Sequence, residues 1–310
     1  MAADSHRSSA PERSGILSLS LALLCLLAPV FLHAKGTPAR AEQAPVSLTN
    51  DEAQAMVKRV LHVELEAAQD GYSAHPMQYR LRKVSPRLST TKLIIETKDG
   101  DVARLIAVND APLSAEAQQI EADRLQGLVN DPSLQRHRQE REQGDTARAR
   151  KVMRGLPDAF LYAYAGIVET PVGPSYRMTF LPNPNFSPQD LEEQVLKGMA
   201  GELWIDVAQQ RVTRLQGKRI RDVDYGWGLI GKLDEGGTLL LEQADAGNHQ
   251  WRTVRMVLVM NARFLLKTIK LDTTLELSQF APVAAGMKYQ QAVEMLQKPS
   301  TEAVPASSAR

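Results

Sequence analysis

Apolar and polar positions recur along this chain with two periods, and the change from one to the other marks out its elements. Met56, Val57, Val60, Leu61 and Leu65 share one face of a helix predicted over 50–69. Thr49 with Glu52 reads as a capping box, and Asp70-Gly71 ends the helix. The period then drops to two: Met77, Tyr79 and Leu81 alternate with Gln78, Arg80 and Arg82, as in a half-buried strand. Leu93-Ile94-Ile95 and Val102–Val108 flank Lys98-Asp99-Gly100-Asp101, a hairpin signal, and Asn109–Pro112 reads as a turn. Ser114 caps a second helix bearing Ile120, Leu125, Leu128 and Val129, and Asp131-Pro132 restarts it.

Residues 135–154 break the pattern. Seven basic residues face three acidic ones, and no apolar stripe precedes Val152 and Met153. This predicts a solvated helical excursion projecting from the sheet, breakable at Gly144, whose removal leaves the sheet folded. After Leu156-Pro157, strands are predicted at 160–168, 175–181, 195–207, 211–224, 238–244, 250–260 and 264–277. In the last, Leu265, Ile269, Leu271, Leu275 and Leu277 share one face, and polar residues take the other. Strand 250–260 carries Met256, Leu258 and Met260 on one face and Val257 and Val259 on the other, the mark of cover on both sides. A short helix is predicted near 287–296, and 299–310 reads as a disordered tail.

Strands segregated from helices argue an α+β fold around an antiparallel sheet. One domain over 42–298 is expected, with a helical insertion at about 114–154.

The first 41 residues change the picture of where this domain works. Arg7 and Arg13 precede an apolar run from Ile16 to Leu32, and Ala39-Arg40-Ala41 supplies small residues for cleavage before Glu42. A secretory signal peptide and a periplasmic or extracellular mature protein are expected. The alternative is an inner-membrane anchor formed by residues 16–32, a run at the short limit for a span. Cys25 is the only cysteine and lies inside that run, so the mature chain offers no thiol chemistry. With 37 basic and 36 acidic residues, nothing draws the chain toward nucleic acid.

Candidate chemistry is sparse. His62, His75, His137 and His249 show no ligand-pair spacing, there is no G-x-S-x-G elbow or P-loop, and Gly226, Gly228 and Gly231 fit a turn. No metal or cofactor is expected. Asp222 and Asp224, two apart, read as strand neighbours on one face, a spacing that serves acid–base work or a solvated strand end. Trp204, Trp227 and Trp251 read as core or sheet-face residues. The basic segment 135–154 offers a contact for acidic lipid.

Gly198-Met199-Ala200-Gly201-Glu202-Leu203-Trp204-Ile205-Asp206, followed by Arg211-Val212-Thr213-Arg214-Leu215, resembles a hairpin of exported bacterial proteins of the LolA/LolB-like, lipoprotein-sorting superfamily. Tyr79–Leu113 resembles uncharacterised exported proteins of the same kind. The resemblance implies a strongly curved antiparallel sheet, an open half-barrel, with helices on a concave apolar face that can hold acyl chains. It brings no catalytic residues, and the charged insertion departs from its pattern. The function expected is non-enzymatic binding of a hydrophobic ligand, a lipid or an acylated envelope protein, lined by Met256, Leu258, Met260, Leu265, Ile269 and Leu271. Two other readings stay open: a structural or sensory envelope protein whose sheet is plugged by its own helices, and a hydrolase using Asp222 and Asp224.

Overall fold

The computed structural model describes residues 47–70, 74–225, 231–264 and 267–298. The leader with Cys25, the tail 299–310, Gly226–Gly228 with Trp227, and Leu265 lie outside the described residues. The chain runs α1 (Asn50–Asp70), β1 (Met77–Val84), β2 (Ser89–Ile95), β3 (Val102–Val108), β4 (Ala111–Pro112), α2 (Ala115–Asn130) and α3 (Pro132–Ala159). It continues with β5 (Phe160–Thr170), β6 (Gly173–Pro182), a 3-10 helix (Glu192–Gly198), β7 (Met199–Asp206), β8 (Val212–Arg219), β9 (Val223–Tyr225) and β10 (Gly231–Leu233). It closes with β11 (Thr238–Asp245), β12 (Trp251–Phe264), β13 (Lys267–Pro282) and α4 (Tyr289–Gln297).

The strands form one open, curved, antiparallel sheet in the order β4-β3-β2-β1-β13-β12-β11-β8-β7-β6-β5, with β9 and β10 paired to each other beside β12. A single rung of registered residues crosses nine strands: Tyr164, Met178, Leu203, Leu215, Leu241, Met256, Leu275, Lys83 and Thr90. Registered partners share a face, so the rung defines one continuous inner face. At the β5–β8 end, α1 buries it: Ala53, Val57, Val60 and Leu61 pack with Phe160, Tyr162, Met178, Phe180, Leu203, Ile205 and Val212. Glu64 lies on the same helical stripe and holds α1 to β8 through Arg211, with both contacts at 2.8 Å, while the Val212 N–H donates to its carboxylate. At the other end, α2 and α4 pack around Leu93, Ile95 and Val102, positions that alternate with the inner-facing Ile94 and Ala103.

Both edges of the open sheet are capped by polar side chains. On β3, the Glu121 carboxylate of α2 accepts from the Leu105 N–H, and Arg124 donates to the Ala103 carbonyl. On β5, the Gln54 amide of α1 takes the place of a neighbouring strand: it donates to the Phe160 carbonyl and accepts from the Tyr162 N–H. Unpaired edge groups of this kind otherwise template pairing with other chains.

The charged segment does not project. Helix α3 runs unbroken through Gly144 and Pro157 to Ala159, about 42 Å at the usual rise per residue. It links α2 at the β3–β4 edge to β5 at the other. Its inward stripe is polar in the first half. Gln135 donates to the Asp99 and Gly100 carbonyls, Arg138 to Asp101 and Gln139 to Lys98, while the Asp101 N–H donates to Glu142. The β2–β3 turn is thus gripped by one helix face. Toward the C-terminal end, Val152 and Leu156 join the α1 core, and Lys151 and Arg154 reach Asp190 and Glu192. Gly155 permits the 3-10 helix to close in, since a Cβ there would lie 2.9 Å from Leu196. The expectation of a helix that buries little fails because its buried stripe is built from side chains that hydrogen-bond, such as Gln135 and Asp145, both 5% exposed or less.

Three further boundaries differ from expectation. The strand foreseen at 195–207 starts at Met199, after the 3-10 helix. The strand foreseen at 211–224 bends at 220–222 into β8 and β9, with Arg219 exchanging backbone bonds with Gly236 and Gly237 across the bend. Strands β4 and β10 were not foreseen, being only two and three residues long.

Candidate functional site

The inner face changes character between β8 and β1. Helix α1 and its core reach as far as Leu215 on β8. Beyond it, Leu239 faces Leu258 across β11–β12, and β12 faces β13 through the pairs Met256–Leu275, Leu258–Thr273, Met260–Leu271 and Ala262–Ile269. Met256, Leu275, Ala262 and Thr273 are buried. Leu239, Leu258, Met260, Ile269 and Leu271 are only half-buried. They form a half-open apolar strip, the trough, about 20 Å long from Ile269 to Leu275 at the rise of an extended strand. One end is walled by Val223 and Leu233 of the β9–β10 hairpin with Val195 of the 3-10 helix, which pack on Ala262 and Met260. The other runs into the cluster of Tyr79, Leu81, Ile94, Met256, Leu275 and Leu277. Beyond Leu239, Gly217 of β8 and Gly201 of β7 are registered on the same face, with the Met199 side chain over Gly217. A side chain at Gly201 has no room, because its Cβ would lie 1.9 Å from the Gln216 carbonyl oxygen.

Of the residues expected to line a ligand site, Met256, Leu258, Met260, Ile269 and Leu271 do share this face, while Leu265 lies outside the described residues. Val257 and Val259 point to the opposite face, and Val259 is exposed there. Sequence reasoning passed over the residues that close the trough on the β1 side. Lys83 follows Met77, Tyr79 and Leu81 in the inward series and stands between Leu275 and Thr90. Lys92 stands one rung further on, between Leu81 and Leu105. The signal was in the alternation itself, which puts a lysine at an inward position of β1. Burial lowers the pKa of both ammonium groups. Lys92 is pushed down further by Arg138 and Arg124. Neither lysine has a hydrogen bond or ion pair among the described residues.

Asp222 and Asp224 do not form a pair of acids. Asp222 lies before β9 and holds Lys232 at 2.6 Å while accepting from the Glu235 N–H. Asp224 is registered with the same lysine. The hydrogen bond from Lys232 holds the Asp222 carboxyl below its ordinary range, so both acids flank one exposed cation. The imidazoles of His62, His137 and His249 pair with surface carboxylates three or four residues away. No three side chains of metal-binding type come together among the described residues. Trp204 donates to Glu202 and lies under the Arg214 guanidinium, 4.8 Å from the ring centre, and Trp251 is buried. The basic residues of α3 are largely engaged: Arg138 with Asp101, Arg148 with Asp145, and Lys151 and Arg154 with Asp190. Arg136 and Arg141 are exposed.

No helix among the described residues is long and apolar enough to cross a membrane. The chain matches no protein-family model and no curated protein. Two solved structures are similar to it. One is an outer membrane lipoprotein-sorting protein domain from Vibrio parahaemolyticus, 9% identical, with a TM-score of 0.30, covering 81% of this chain and 100% of that one. The other is a DUF1329 family protein from Desulfovibrio piger, 10% identical, with a TM-score of 0.24, covering 74% of this chain and 92% of that one.

Proposed function

We propose that this is a non-enzymatic protein of the cell envelope that binds an acyl chain, carried by a lipid or an acylated protein, in the trough of β11–β13. The observation that carries the reading is the contrast along one face. Helix α1 buries that face over β5–β8, yet Leu239, Leu258, Met260, Ile269 and Leu271 on the same face keep part of their surface open. A row of large apolar side chains left uncovered beside a fully packed core marks a binding surface. Met260 suits varied chain shapes, being unbranched and polarisable. Export by the leader would place this surface where lipid and lipoproteins are met.

The test is uptake of a fluorescent fatty acid by lipid-stripped protein. Micromolar uptake is expected, and Leu258→Arg should abolish it while cooperative melting persists, since Leu258 is only half-buried. Wild-type protein that takes up none would instead favour the self-plugged reading, in which α1 and α3 are the only occupants of the inner face.

A further inference from the structure

The lysines at the β1 side of the trough bear on the kind of ligand it takes. Along the inner face of β13, Ile269, Leu271, Thr273 and Leu275 follow at every second position, and Lys83 is the residue registered with Leu275. Lys83 therefore stands at the end of the trough, about 7 Å along the strand from the Leu258–Thr273 rung. Lys92 lies one rung beyond on the neighbouring strand, close enough to Lys83 for the two charges to repel.

The other charged groups around Lys92 are already engaged. Arg124 is bound by Glu121 and the Ala103 carbonyl. Arg138 donates to the Asp101 carbonyl, with the Glu142 carboxylate beside it. Glu121 accepts from Arg124 and from the Leu105 N–H, which leaves it little capacity for Lys92. On the opposite face, Glu276 and Asp110 are taken by Arg82. Lys83 is thus left as a partly desolvated cation with no counter-charge beside it, and Lys92 as one that shares the Glu121 carboxylate with Arg124, both next to the apolar strip. Such a placement costs stability unless an anion completes it.

We infer that Lys83, with Lys92 behind it, seats an anionic head group, so that the ligand of the trough is an acidic amphiphile, its tail along Leu271 and Leu258 and its carboxylate or phosphate on the Lys83 ammonium. The inference rests on the acyl-chain reading above and adds the charge of the head. It does not follow from the net charge of the chain, which is close to zero.

The experiment compares laurate with dodecanol, equal tails with and without a charge, by calorimetric titration of the lipid-stripped full chain at neutral pH. Laurate is expected to bind about tenfold more tightly, as a charge-assisted hydrogen bond allows. Lys83→Gln should remove that preference and leave dodecanol affinity within about twofold, while Lys83→Arg should keep it. Dodecyl phosphate distinguishes the two anions and should follow laurate through the same variants. If laurate and dodecanol bind alike, or Lys83→Gln weakens both equally, the head-group assignment is overturned and the acyl-chain reading survives. If neither binds, the acyl-chain reading itself fails. Thermal melting of each variant separates loss of binding from loss of fold.

Discussion

Glu96 shows how one side chain can set a pH response in this protein. Its carboxylate is buried at the end of β2, accepts from the Met77 N–H at 2.9 Å and lies 3.8 Å from Arg252. Burial outweighs both partners and pushes its pKa from 4.5 up to about 7. Burial does the same to Glu142. At Asp101 burial acts together with the neighbouring carboxylates of Glu142 and Glu96. A carboxyl whose folded pKa is raised favours the folded state while protonated, and that advantage fades as pH climbs from the unfolded to the folded pKa. Stability should therefore fall between about pH 4.5 and pH 7, by a few kcal/mol at most from Glu96. Urea denaturation across that range should show the slope, and Glu96→Gln should flatten it. The depressed carboxyls of Asp110 and Asp222 act with opposite sign, but below this window. A profile that Glu96→Gln leaves unchanged would mean that another group sets the response.

Among the elements, α3 departs most from what its sequence foretold. A search for amphipathic helices counts apolar residues, and the first half of α3 has almost none at the buried positions. Its packing stripe of Gln135, Arg138 and Glu142 works through hydrogen bonds to the 98–101 turn, and no periodicity of hydrophobicity can reveal that. Deleting Asp131–Arg154 and bridging the gap with a flexible linker should now abolish cooperative melting. The milder Glu142→Ala should cost about 1–3 kcal/mol by orphaning the Asp101 N–H. A deletion that still melts in one sharp transition would restore the picture of a dispensable excursion. The strands were far more legible, because a half-buried strand writes its two faces into alternate residues. The inward Ile269–Leu271–Leu275–Leu277 row and the Met256–Leu258–Met260 row are found where the pattern put them. Short pieces such as β4 and β10 were not, since two or three residues carry no period. Half of the candidate site was therefore visible from alternation alone. The lysines were missed because charged residues were assigned to the solvent face.

At the scale of the whole molecule, the sheet is assembled out of chain order. Strand β1, from the first third of the described chain, pairs with β13, near its end, and this pairing joins β2–β4 to β12 and the strands beyond it. Arg82 and Glu276, which bond across that seam, are 194 positions apart. Contacts of such long range slow folding, because the loop must close before they form. A chain ending at Phe264 should therefore fail to melt cooperatively and should self-associate in light scattering, whereas one ending at Lys298 should do neither. A well-folded monomer from the shorter chain would show that the two halves stand alone. The seam also has a temporal meaning. While the chain emerges N-terminus first, from a ribosome or across a membrane, the edges of β1 and β12 are both open, and the strand that fits between them is almost the last to appear. Until then the trough lacks the wall that Ile269 and Leu271 provide, and the nascent chain is at its most exposed to pairing with the wrong neighbour. A holding chaperone would be needed most during that interval, and the finished protein would no longer display the surface it had grasped.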